Sequence, residues 1–256
     1  MIVFLTNYCK MKSLLQLVTL SALICLLWKP CGAPPETPKP PGRPTPPPLI
    51  APLIPPFTLS HPQPGFLDKI RPIWDTDYSK CIAILAACRV DEIRPIAIET
   101  IEPENTDRPL NLGQLCDIYD AAKRWSYVND PASGDYFATP IESHRSLRGD
   151  CDDYAIYLAC LLSAVGFESV ITIGEAPSGE YHAYPEVCLG AINSEIVCNY
   201  LGRRYELSAE QPIHVREDEQ GNLYLSLDHG FFPGAVPFKG EELLRLYLTD
   251  QYIEKL

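Results

Sequence analysis

Three residues of this chain could form a reactive centre. Cys151, His182 and Asp228 occur in that order, separated by 31 and 46 residues. A thiol is a weak nucleophile until it ionises. An imidazole beside it takes or shares the proton, and a carboxylate orients and steadies the imidazolium. Cys151 lies in the stretch Arg148 to Gly166, RGDCDDYAIYLACLLSAVG. Counting from Cys151, apolar or small residues recur at Ala155, Leu158, Ala159, Leu162 and Val165, the offsets of one helix face. Gly166 stands where a helix C-terminus favours a residue free to turn left-handed. Asp150, Asp152 and Asp153 crowd the other end, where carboxylates cap free N–H groups. The expectation is a largely buried helix with Cys151 in its first turn, where the helix terminus favours a thiolate. The three carboxylates oppose that effect, so the thiol needs a cationic partner.

The elements around it must supply that partner. Ser169 to Ile173 is β-branched enough for a strand. Tyr181 to Leu189 reads as a second strand with His182, Tyr184, Glu186 and Cys188 on one face. Pro185 inside it calls for an edge, a bulge or an interrupted ladder. Ile192 to Tyr205 reads as a helix on Ile196, Val197, Tyr200 and Leu201. Gln211 to Arg216 and Asn222 to Asp228 read as a hairpin around Glu219-Gln220-Gly221. In its second arm Leu223, Leu225 and Leu227 point one way, and Tyr224, Ser226 and Asp228 the other. Upstream, Asp77 to Val90 reads as a helix with Tyr78, Cys81, Ile82, Leu85 and Cys88 on one face. Asn111 to Val128 reads as another, with Leu112, Leu115, Cys116, Tyr119 and Ala122 facing inward and Asn129-Asp130-Pro131 stopping it. A loop through Tyr136, Phe137 and Pro140 leads to the cysteine helix. Helices first and strands after give an α+β fold with an antiparallel sheet, and a helix packed on those strands brings the three residues together.

At these positions the chain resembles the transglutaminase-like superfamily of cysteine enzymes. The matching pieces are Arg-Gly-Asp-Cys-Asp-Asp-Tyr-Ala at 148–155, then His182-Ala183-Tyr184-Pro185-Glu186-Val187, then Leu225-Ser226-Leu227-Asp228 trailed by Pro233-Gly234. The segment Trp125 to Pro131, WSYVNDP, is similar to the lead-in of microbial members. The resemblance covers roughly residues 110 to 238 and carries three motifs in order. It implies a papain-like core with the catalytic triad Cys151, His182 and Asp228. It further implies attack on amide bonds through a thioester, with a protein or peptide substrate, cell-envelope material included. Water as acceptor gives a peptidase or amidase, the favoured form; an amine acceptor gives a transglutaminase. A non-catalytic scaffold or binding module that keeps the fold is the other alternative. Pro185 departs from the pattern, and Ile192 to Leu223 matches nothing in it. No calcium site of the animal enzymes is matched, and no cofactor is expected.

Other chemistries find less support. Cys, His and Asp are all metal ligands, but no Cys-x-x-Cys or His-x-x-x-His spacing occurs, so no metal is expected. No Gly-x-Ser-x-Gly or phosphate loop exists. The net charge of −12 argues against nucleic acid as a partner. Residues 1–65 hold five Lys/Arg against one acidic residue, so the acidity belongs to 66–256. Glu186 and Tyr184 read as packing on the His182 face, with cleft lining the alternative; Trp125 and Tyr127 as core, or else walls of the cleft; His229 as turned away from the triad; and His144 as a solvated loop residue, or else cleft lining.

Residues 1–33 read as an export signal or an uncleaved membrane anchor: Met11-Lys12, an apolar run from Leu14 to Trp28, then Cys31-Gly32-Ala33. Residues 34–65 read as a proline-rich linker, with Leu49 to Ile54 apolar enough to lie on the following domain. Residues 66–256 form the folded domain. The chain is therefore expected outside the cytoplasm, secreted or tethered. Seven cysteines follow Ala33, an odd number that fits one free thiol beside up to three disulfides, or seven reduced and buried thiols.

Overall fold

The computed structural model describes residues 51–54, 77–106, 108–130, 136–235 and 238–256. The export signal and most of the proline-rich linker lie outside the described residues. Helices come first: α1 (Asp77–Ala87), α2 (Val90–Glu99), α3 (Pro103–Thr106) and α4 (Leu112–Ala122). A short strand β1 (Ser126–Tyr127), helix α5 (Pro140–Ser146) and strand β2 (Arg148–Gly149) lead into α6 (Cys151–Val165). Then follow β3 (Ser169–Glu175), β4 (Tyr181–Cys188), α7 (Ser194–Arg204), β5 (Val215–Glu217), β6 (Leu223–Ser226), β7 (Glu241–Tyr247) and β8 (Tyr252–Lys255). The fold is α+β: a six-stranded sheet in the order β5-β6-β4-β3-β7-β8, antiparallel throughout.

Helix α6 is the centre of the core. Ala155 through Leu162 are all buried, on every face of the helix. A helix apolar all round must be enclosed, and α2, α4 and α5 together with the inner face of β3 and β4 enclose it. Gly166 ends it in the left-handed region at φ 108°, its N–H bonded to Leu162 and Ser163 carbonyls. The inner face of the sheet contributes Ile171, Ala183, Val187, Leu223, Leu225 and Leu227 to this core, matching the alternation expected of β6.

No helix covers the outer sheet face among the described residues; ion pairs and tyrosines do. Buried Glu186 accepts from Thr172 Oγ1 at 2.7 Å and from Arg216 Nη2 at 3.0 Å. Arg216 lies 3.9 Å above the Tyr224 ring. Glu242 accepts from Tyr184 Oη at 2.7 Å and from Arg245. Glu186 thus belongs to packing, as its burial requires.

Several elements differ from expectation. The first helix stops at Ala87, and a second runs Val90–Glu99 with Pro95 inside it. Ile82 is exposed, whereas Cys81 and Ile84 are buried, so the inward face is rotated. Helix α4 ends at Ala122, not Val128; its inward residues Leu112, Leu115, Cys116, Tyr119 and Ala122 are all fully buried as expected. The supposed loop to α6 contains α5, started by a reciprocal cap between Thr139 and Glu142. Strand β4 is internal, not an edge, and its ladder is interrupted on one side: pairing with β6 begins only at Glu186. Pro185 therefore lacks a donor just where the neighbouring strand has ended. Strands β7 and β8 were not anticipated.

Residues 51–54 pack on the domain. Ile54 N–H donates to Leu110 O at 2.8 Å, Leu112 N–H donates to Pro52 O at 3.0 Å, and Ala51 and Ile54 are buried. All seven described cysteines are free thiols.

Candidate active site

Cys151 is the first residue of α6 and half-buried. His182 is the second residue of β4, opposite Gly174 of β3. Asp228 follows the end of β6 and is buried. The three line one cleft, whose wide arm of about 870 Å³ also takes in Tyr127, Tyr181, His229, Phe231 and Phe238. A second arm of about 270 Å³ shares Cys151, Tyr181 and His182 and runs past Ile84, Ile173, Leu243 and Leu244.

His182 Nε2 lies 2.7 Å from Asp228 Oδ2. That contact commits Nε2 to the carboxylate and leaves Nδ1 for Cys151, which lines the same cleft. Burial by itself would push the imidazole down, but hydrogen bonds and charge from Asp228 and Cys151 outweigh it and raise His182 to about 10. The ring is an imidazolium at neutral pH, the cation that the thiol needs.

The supports are specific. Asp228 Oδ1 accepts the His229 N–H at 2.7 Å. Tyr119 Oη, from the core of α4, donates to Phe231 O at 2.6 Å and lies 3.2 Å from Asp228 O, so the loop carrying Asp228 is pinned from beneath. Phe238 and Tyr184 stack on His182 with centroids 5.6 and 6.0 Å away. Gly174 makes room for Phe238: a Cβ there would sit 2.4 Å from Phe238 Cε1.

The acidic residues behave differently from expectation. Asp150 makes no side-chain cap. Asp153 Oδ1 instead accepts the Ala138 N–H at 2.7 Å, and its packing excludes any side chain at Gly149. Burial, then the neighbouring Asp150, pushes Asp152 up to about 10, so it is neutral at pH 7 and its opposition to a thiolate is removed. Asp150, Asp152 and Asp153 offer three oxygens within 4.8 Å of one another, the one group among the described residues spaced so that it could hold a metal ion. Such a donor set suits a hard, oxygen-seeking cation. A search for Cys and His spacing could not reveal it.

Of the secondary candidates, Trp125 is core and donates from Nε1 to Gly149 O at 3.2 Å. Tyr127 is 51% exposed and lines the cleft, which corrects its assignment to the core. His229 also lines the cleft, though its Nε2 is 3.3 Å from Trp125 O and it makes no bond to His182. His144 lies in α5 with Nδ1 3.0 Å from Tyr157 Oη, a helical contact in place of a solvated loop. The residues that sequence reasoning missed are Tyr119 and Phe238; a core tyrosine and a loop phenylalanine carry no signal of a site.

No family model matches the chain, and no curated protein matches it. Solved structures are similar at a distance. A "putative cysteine protease" from Cytophaga hutchinsonii aligns at 19% identity and TM-score 0.33, over 45% of this chain and 40% of that one. Calcium-bound LapG of Legionella pneumophila aligns at 16% identity and TM-score 0.38, over 65% of this chain and 82% of that one. An EGTA-treated form of LapG aligns at 19% and 0.34, over 61% and 80%. This chain spans two fifths of the Cytophaga protein's length. At these values the likeness assigns neither a family nor an activity.

Proposed function

We propose that this protein is a cysteine enzyme of the transglutaminase-like kind that hydrolyses amide bonds in a protein or peptide substrate. The observation that carries the reading is the 2.7 Å contact of His182 Nε2 with Asp228, made beside Cys151 in an open cleft. The Cys151 thiolate adds to the amide carbonyl carbon, and the C–N bond breaks as His182 Nδ1 gives its proton to the leaving amine. The resulting thioester is attacked by water, whose proton returns to His182, and the Cys151 sulfur leaves as thiolate. Asp228 remains ionised and holds the imidazolium in line. The His182 side chain is 28% exposed, so water has a path to it. The apolar run in residues 1–33 supports action outside the cytoplasm, on cell-envelope or secreted protein.

The test is the pH profile of Cys151 alkylation in the wild type and in His182→Ala. An ordinary thiol ionises near about 8.5. Rapid alkylation well below that pH, lost in the variant, is expected. Slow alkylation indifferent to His182 would leave a folded scaffold instead.

A further inference from the structure

Tyr127 stands in the cleft with no part in the triad. Its position is set by backbone. Ser126 and Tyr127 pair in parallel with Arg148 and Gly149. Ser126 N–H donates to Leu147 O and Val128 N–H to Gly149 O, both at 2.8 Å. These bonds clamp Tyr127 from both sides beside the turn that enters α6, and its register partner Gly149 is two residues ahead of Cys151. The neighbouring Trp125 is anchored in the core. Tyr127 faces outward into the wide arm, whose lining it shares with Cys151.

Addition of a thiolate to an amide turns the carbonyl oxygen into an oxyanion next to the sulfur. Donors aimed at that oxygen usually make the largest single contribution to acyl transfer. Asp150 places no carboxylate on the first-turn N–H groups, so the Cys151 N–H can serve as one donor. The carboxylates around it weaken what the helix terminus can offer, and a second donor has to be neutral and firmly protonated. Burial, then the charges of Cys151 and Asp150, pushes the Tyr127 phenol up to about 12, so it holds its proton.

We propose that the Tyr127 hydroxyl and the Cys151 backbone N–H together hold the oxyanion of the tetrahedral intermediate, which makes Tyr127 a catalytic residue. The proposal rests on Cys151 being the nucleophile. As the C–S bond forms, the carbonyl π pair moves onto oxygen, which accepts hydrogen bonds from Tyr127 Oη and Cys151 N. When that pair returns, the C–N bond breaks and the amine leaves with the His182 proton. Tyr127 keeps its own proton throughout.

Two reagents separate this role from any other. Iodoacetamide alkylates Cys151 by displacement, with no oxyanion. p-Nitrophenyl acetate acylates it through one. Both limiting rates are measured on the full chain at a pH where they have levelled off, with Cys151→Ser as background. In Tyr127→Phe the acylation burst is expected to slow roughly 100-fold while alkylation stays within about twofold, which also shows that the variant is folded. Unchanged acylation would overturn the proposal. So would a proportional fall in both rates, which would mean that Tyr127 acts on the thiol. A wild type that reacts with neither reagent would defeat the Cys151 reading itself, a failure visible before the variant is made.

Discussion

Asp228 and Cys151 raise His182 to about 10 against the pull of its own burial. A group whose folded value is raised contributes stability that is fully present below its unfolded value of about 6.5 and is lost as pH rises through the folded one. Urea unfolding of wild type and His182→Ala should therefore differ most near pH 6, and the difference should close between pH 6.5 and about 10. Asp228→Asn removes the hydrogen-bonded charge that orients and steadies the imidazolium, and alkylation of Cys151 at pH 6 should slow. Glu168 gives the opposite sign. It is buried with Oε1 unpartnered, and burial pushes it up to about 7. An acid held neutral by the fold costs stability once it ionises. Glu168→Gln should therefore match the wild type near pH 4 and exceed it near pH 8, in the same unfolding assay. The remaining thiols supply a control. Burial raises Cys116 to about 12 and Cys188 to about 11, so neither should compete with Cys151 for reagent in the native protein.

At the scale of elements, the helix carrying Cys151 and the strands carrying His182 and Asp228 were legible because each has an unambiguous period and a clear stop. Where tertiary contacts decide the matter, the sequence was silent. Pro95 reads as a breaker, yet α2 accommodates it. Glu241 to Tyr247, EELLRLY, has no period of two, because Leu243, Leu244 and Leu246 are interrupted by charges that serve the outer face of the sheet. Pairing with β3 and β8 makes it a strand. Tyr127 and Trp125 have the same sequence context and opposite fates, and the pairing of β1 with β2 separates them. The cleft depends on two of these junctions. Gly174→Ala would drive a methyl group toward Phe238 and the Glu241 carbonyl. It should cost about 1–3 kcal/mol by chemical denaturation and lower turnover by loosening the stack on His182. Pro185→Ala should change stability by less than about 1 kcal/mol, since the backbone bond made there, Leu227 N–H to Pro185 O at 2.9 Å, uses a carbonyl that alanine keeps.

At the scale of the molecule, the proline-rich region is not spacer to its last residue. Ala51 and Ile54 are buried and their segment bonds to the entry of α4. A chain beginning at Leu49 should melt like the full one. A chain beginning at Pro55 should lose at least the ~1.5–3 kcal/mol expected from burying one isoleucine, read as a lower melting temperature.

The enclosure of α6 on every side restricts where this chain can vary. A helix without a free face has no position at which a change is silent, so almost any substitution along Ala155 to Leu162 is a test of folding before it is a test of reactivity. The segments at the cleft mouth, around Tyr127, from Ala176 to Tyr181 and from His229 to Ala235, lie outside that enclosure. Changes in the lining of the cleft can accumulate there while the position of Cys151 stays fixed. Libraries confined to those three segments should yield folded variants at a far higher rate than libraries spread over the helix.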